Sequence, residues 1–286
     1  MLELSLIIVA LFVLIVASYV DLRILEVPDW LNYAGIAAGI GIHLIFSLQQ
    51  WNWWPIASSL IGLGIAFALA CLMFYTGQWG GGDAKLLMAL GALIGFEADK
   101  FSFGTSFLIN LVFIGGAWGL IWTSGLAIKN MKTFWKTFRE LSHQGKYKRL
   151  RIMTMITAVL LIIASFMLAE FQMEILIVAL ASYALCYLTI FVKSVELCCM
   201  QKWVTPDKLT EGDWLLKPVK FGKQELTPPK LGLEKKHVAL LKKLYAQKKI
   251  DKVLVKYGIP FAPAFLLAFI ATLIFNNIIL SLLTQM

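Results

Sequence analysis

Apolar residues run along this chain in long, nearly unbroken stretches separated by short polar or basic segments, and that pattern predicts helices that cross a membrane. Eight stretches qualify by length or nearly so: residues 4–20, 30–47, 55–75, 84–96, 103–128, 152–168, 175–192 and 259–283. The fourth is short. No Lys or Arg precedes the first run, and no small-residue cleavage pattern follows it, so it reads as a retained span and not a signal peptide. The expected fold is an all-α integral membrane protein of about eight transmembrane helices, with a small cytoplasmic subdomain before the last one.

The polar segments divide the chain further. Residues 1–128 form a membrane core, 129–151 a basic cytoplasmic loop on the membrane surface, and 152–192 a helical membrane hairpin. Residues 193–258 form a basic cytoplasmic subdomain, and 259–286 the final transmembrane helix. Within the subdomain Thr227, Pro228 and Pro229 mark a break. Beyond it Val238, Leu241, Leu244 and Tyr245 recur at near-helical spacing and predict an amphipathic helix lying on the membrane surface.

Composition agrees with the pattern. Of 286 residues 59% are apolar and 15% charged, with mean hydropathy +0.77, whereas soluble domains are about a quarter charged. A net charge of +9 would suit nucleic acid, but here the cations sit between apolar runs, as in loops beside a bilayer, and no nucleic-acid partner is expected. If the runs alternate, 25 of the 26 Lys and Arg fall on one side and only Lys100 on the other. That bias puts both termini outside and the two basic loops in the cytoplasm. The opposite loops hold Glu97, Asp99, Glu170 and Glu174, and Trp51, Trp53 and Trp54 fit an interfacial aromatic belt.

Cys71, Cys186, Cys198 and Cys199 form no C-x-x-C pair, and His43, His143 and His237 are scattered, so neither a metal site nor a disulfide framework is expected. No cofactor is implied. The chemistry points instead to two acids. Ionisable groups at membrane depth are costly and are functional candidates by default. Asp21 closes the first run, about 26 Å along the helix from its start, near the inner edge of a core about 30 Å thick. Asp83 precedes the short fourth run, which spans only about 20 Å and cannot reach the same surface. Asp83 therefore lies inside the membrane in a water-reachable recess. Gly80, Gly81 and Gly82 before it permit irregular backbone and close approach of an extended strand. No Lys-Ser/Thr follows them, which excludes a P-loop. Alternation of the runs brings both aspartates in from one side. Two carboxylates sharing a site keep one proton between them; the ionised one can activate water while the protonated one donates to a scissile carbonyl. Which takes which role stays open.

At these residues the chain resembles the type IV prepilin and archaeal preflagellin (archaellin) peptidases, the membrane proteases with a G-x-G-D motif. Gly80-Gly81-Gly82-Asp83-Ala84-Lys85-Leu86-Leu87 follows the family's G-x-G-D-x-K-L-L. Asp21, with Val27, Pro28 and Asp29 behind it, follows its first motif. The run from Gly258 to Pro263 resembles the start of its last helix, and Glu211-Gly212-Asp213-Trp214 resembles archaeal members. The resemblance implies that Asp21 and Asp83 are a catalytic dyad cutting a short basic leader from a precursor on the cytoplasmic side of the cell membrane. Glu26 and Asp29 would then attract that leader, or simply form a solvated loop. Lys85 would orient substrate or an aspartate, or snorkel to the interface. The partners implied are pilin-like or archaellin precursors and the lipid bilayer. The cysteine pairs of bifunctional bacterial members are absent, so no N-methylation is expected. Prepilins are taken ahead of preflagellins as substrates. Competing readings are a presenilin-like intramembrane protease and a proton-coupled transporter.

Overall fold

A computed structural model describes residues 2–99, 102–221, 224–229 and 232–277. Among them the chain is predominantly helical, and its contacts divide it into two units, residues 1–121 with 203–286 and residues 122–202. The predicted Lys100 and the end of the last run lie outside the described residues.

In the first unit α1 (Leu2–Ile24), α2 (Asp29–Gln50), α3 (Trp54–Tyr75) and α4 (Gly81–Ile94) follow one another through short turns, and α5 begins at Phe103 and runs to Lys129. Three short connections make four alternating helices. The C-terminus of α1 and the N-terminus of α4 therefore end on the same side. α1 buries Leu6, Ala10, Val13, Leu14 and Ala17 along one stripe and exposes Leu4, Ile8, Phe12 and Ile15 along the other. A helix apolar all round belongs in lipid, its outer face needing no protein cover.

α4 is the centre of this unit. Ala84, Leu86, Leu87, Ala89, Leu90, Ala92 and Leu93 are all buried, which leaves little of the helix for lipid. Its neighbours approach through small residues, as helices do where packing replaces the hydrophobic drive. A Cβ on Gly39 of α2 would sit 2.7 Å from the backbone carbon of Ala92. His43 Nε2 meets the Leu93 carbonyl at 3.2 Å, and the Ser59 hydroxyl donates to the Ala92 carbonyl at 2.7 Å. The last helix, α10 (Ala262–Phe275), joins the same core through Phe265, Ala268 and Phe269. The Asn110 side-chain amide of α5 donates to the Thr272 hydroxyl of α10 at 2.9 Å.

By length and composition six described helices can cross a membrane: α1, α2, α3, α5, α7 (Gly145–Met167) and α8 (Gln172–Cys199). Among the described residues the count of eight spans is not confirmed. α4 and the described part of α10 have 14 residues each, about 21 Å against a hydrocarbon core of about 30 Å. The second unit carries α7, α8 and an amphipathic helix, α6 (Met131–His143), inside the segment read as a basic loop.

The polar segment before α10 holds structure that hydropathy did not show. Five short strands occur: β1 (Gln201–Val204), β2 (Trp214–Leu215), β3 (Val219–Phe221), β4 (Gln224–Leu226) and β5 (Val253–Lys256). β5 lies between β1 and β2, while β3 and β4 pair antiparallel from Val219 opposite Leu226 to Phe221 opposite Gln224. The predicted amphipathic helix is α9 (Lys235–Ala246), but its apolar residues Val238, Leu241 and Leu244 are buried within protein. Val238 and Leu241 pack with Leu209, Leu215, Leu233, Val253 and Val255 in a core of their own. The sheet supplies the apolar surface that the prediction assigned to lipid.

The α2–α4 contact yields a paired prediction. Gly39→Ala forces backbone apart and is expected to cost about 1–3 kcal/mol. Gly41→Ala, with nothing within 4 Å of its Cβ position, is expected to be neutral or stabilising by up to about 1 kcal/mol. Thermal unfolding in detergent compares them.

Candidate active site

α1 ends one turn past Asp21. Leu25 adopts left-handed backbone (φ 57°), and its N–H returns to the Asp21 carbonyl at 2.8 Å. A branched residue rarely takes that conformation; here it turns the chain so that Val27 is buried. Pro28 then caps α2 with φ −62° and ψ 136°, and its carbonyl accepts the N–H of Leu31 at 3.1 Å. On the other side Gly80 caps α4, accepting the Ala84 N–H at 3.1 Å and putting Asp83 in the first helical turn.

The two segments meet backbone to backbone at Gly82. A Cβ there would lie 3.1 Å from the Val27 nitrogen, and the buried Asn32 side-chain amide donates to the Gly82 carbonyl at 3.2 Å. Gly82 is thus glycine because Val27 occupies the space of a side chain. Gly81 packs beside Phe74, and Gly80 lies beside the Asp83 carboxylate.

Asp21 is 4% exposed, and its Oδ2 accepts the Ala262 backbone N–H at 2.8 Å. That donor opens α10, so the carboxylate sits at a helix N-terminus, where oriented amides favour negative charge. Three contacts fix this end of α10. Trp79 lies 5.7 Å from Phe261 and 5.4 Å from Phe265, ring to ring, and the Trp118 indole N–H donates to the Pro260 carbonyl at 2.8 Å. Asp83 is partly exposed and lies within electrostatic reach of Asp21. The two acids therefore approach each other from the end of α1 and the first turn of α4.

Lys85 pairs with Asp29, Nζ to Oδ1 at 2.6 Å, and its ammonium lies 5.6 Å from the Tyr33 ring centre. It ties the start of α2 to the first turn of α4. Glu26 is exposed. Its carboxyl is pushed above the ordinary range, first by partial burial and then by the charges of Asp213, Asp29 and Glu211. Asp213 accepts the Thr210 N–H at 2.8 Å, and burial pushes its carboxyl up as well. The subdomain thus brings acids to the turn that follows Asp21. Its Trp214 ring also lies 3.6 Å from where a Cβ on Gly77 would be, in the turn before α4. Among the described residues no group of three or more His, Cys, Asp and Glu side chains could hold a metal ion.

Sequence reasoning missed Asn32, Trp79 and the Ala262 N–H. Asn32 lies three residues after Asp29 and Trp79 directly precedes the glycines, so adjacency was an available signal for both. A backbone donor leaves no trace in composition.

Residues 8–123 match the type IV leader peptidase family. It is 29% identical to a preflagellin peptidase of Methanococcus voltae, covering 50% of this chain and 61% of that protein. It is 31% identical to a preflagellin peptidase of Methanococcus maripaludis, over 47% of this chain and 58% of the relative. A prepilin peptidase of Methanothermobacter thermautotrophicus is 28% identical over 38% of this chain and 29% of its own length. The chain thus spans about three-fifths of the two preflagellin peptidases. No solved structure matches it.

The raised Glu26 carboxyl gives a pH prediction. An acid that titrates higher in the folded protein contributes stability that is whole below its unfolded value and is lost as pH rises through its folded value. Glu26→Gln is therefore expected to raise the melting temperature at neutral pH, more at low salt, and to converge with wild type below about pH 4. Equal melting temperatures at neutral pH would contradict the acidic cluster.

Proposed function

We propose that this chain is a multi-pass cell-membrane aspartyl endopeptidase that removes the leader from preflagellin (archaellin) precursors at the cytoplasmic face. The observation that carries the reading is that Asp21 and Asp83 lie within electrostatic reach of each other in the segment that matches the leader peptidase family. Residue patterns alone put prepilins first. The relatives named preflagellin peptidase, aligned over about half of this chain, favour the other substrate, and prepilins become the second reading of the same mechanism.

The chemistry follows from the donors. Asp21 accepts the Ala262 N–H at the start of α10, which suits it to carry the negative charge and to take a proton from an attacking water. Asp83 holds the shared proton and donates it to the scissile carbonyl as the tetrahedral intermediate forms. Collapse of that intermediate returns a proton to the leaving amine. The close contact of Gly82 with Val27 holds the start of α4 against the turn that follows Asp21. Glu26, Asp29, Glu211 and Asp213 offer negative charge to a basic leader, although Asp29 and Glu211 also pair with Lys85 and Lys235. The subdomain before α10 then serves as one wall of the leader's entry. No N-methylation step is included.

Two experiments test this. Purified protein is incubated in detergent with preflagellin and prepilin precursors, and the cut is mapped. Cleavage just ahead of the apolar helix is expected, with preflagellin the better substrate, and Asp21→Asn or Asp83→Asn is expected to lower the rate at least about 10²–10⁴-fold without loss of fold. A cut inside the apolar helix, or full activity in Asp83→Asn, would refute the assignment. Ala262→Pro removes the N–H donated to Asp21 at a first-turn position that tolerates proline, and it also strains Phe261, whose backbone (φ −103°, ψ −18°) proline disfavours in the residue before it. It is expected to cut kcat at least about 10-fold while leaving KM near wild type.

A further inference from the structure

Helix α6 carries two faces. Phe134, Trp135 and Phe138 turn towards Leu185, Leu188 and Phe191 of α8 and with them line a groove of about 710 Å³. The aromatic side is built tightly: Phe134 lies 5.4 Å from Phe191 and 5.7 Å from Phe138, ring to ring. The other face exposes Lys132, Lys136 and Arg139 at helical spacing. With Glu140 and Trp135 they line a second, shallow recess of about 590 Å³. Trp135 belongs to both recesses, so the apolar slot opens directly onto the cationic shelf. Among the described residues, no ion pair engages Lys132, Lys136 or Arg139.

Size narrows the occupant. A peptide helix about 10 Å across would fill 710 Å³ with under two turns, so the slot is short for the apolar helix of a protein partner. A single hydrocarbon chain fits an apolar slot of this kind, and a negative head group fits the shelf beside it. α6 has the composition of an interfacial helix, with cations on the polar face and Trp and Phe on the other. Clustered cations on such helices select anionic lipid. We propose that the groove between α6 and α8 binds a phospholipid with an anionic head group, one chain lying along Phe134, Phe138 and Phe191 and the phosphate on Lys132, Lys136 and Arg139. This site is independent of Asp21 and Asp83 and of the proposed peptidase activity.

The test uses the full-length protein in mild detergent with phosphatidylglycerol or phosphatidylcholine of identical chains, and counts retained lipid by native mass spectrometry. Wild type is expected to retain phosphatidylglycerol at least about 10-fold better. Joint Lys132→Gln, Lys136→Gln and Arg139→Gln substitution is expected to abolish that preference, and Ala184→Trp, which fills the slot, to lower retention of both lipids. Equal retention of the two lipids by wild type would overturn the proposal, even if a variant failed to fold. So would displacement of the lipid by soluble glycerol phosphate, which would assign the shelf to a free phosphate. A photo-reactive side chain at Leu188 is expected to cross-link to lipid; cross-linking to an added precursor protein instead would also overturn it.

Discussion

A helix of 14 residues reaches only about two-thirds of the way across a hydrocarbon core, and the rest of the membrane core answers to where α4 stops. Gly81, Gly82 and Asp83 form its first turn, and the ends of a short helix in a bilayer need protein cover or water. The small residues of α2 and α3 close around α4 for that reason, and its apolar positions are buried on nearly every side. Asp21 and Asp83 lie together at its N-terminal end, one closing α1 and the other in the first turn of α4.

The acids are held by backbone as much as by side chains. Val27 lies against Gly82, so the turn after α1 and the turn before α4 move together. The first turn of α10, fixed by Trp79 and Trp118, supplies the N–H that meets Asp21. The Lys85–Asp29 pair adds a link on the wetter side, and its partial exposure makes it worth little as a net stabiliser. Its contribution is register between α2 and α4. The subdomain before α10 has its own small core, and it brings Asp213 and Trp214 towards the turns that carry the site.

Much of this was legible in the residues. The long runs gave α1, α2, α3, α5, α7 and α8 with boundaries shifted by a few positions, because lipid-facing helices are apolar all round and leave a strong signal. The short run after the glycines is the 14-residue α4, and the glycines before Asp83 include Gly82, which meets Val27. Less was legible where chemistry is local or distant in sequence. Strands of two to four residues are too short to show alternation. The amphipathic α9 has one apolar face whether it meets lipid or a sheet, so its pattern did not reveal its partner. The fourth and last runs are each represented by 14 helical residues among those described, so the count of eight spans is not confirmed. The Ala262 N–H was invisible, being a backbone group 241 residues from the carboxylate it meets.

Proximity of the two acids in the folded, membrane-embedded protein is the central claim, and cross-linking measures it directly. In a background where Cys71, Cys186, Cys198 and Cys199 are replaced, Asp21→Cys and Asp83→Cys are introduced together and treated in membranes with a short thiol-specific cross-linker. The account predicts a rapid intramolecular link. It predicts no such link when Asp21→Cys is combined with Glu97→Cys, beyond the other end of α4. Linking of the 21–83 pair no faster than that control would contradict it.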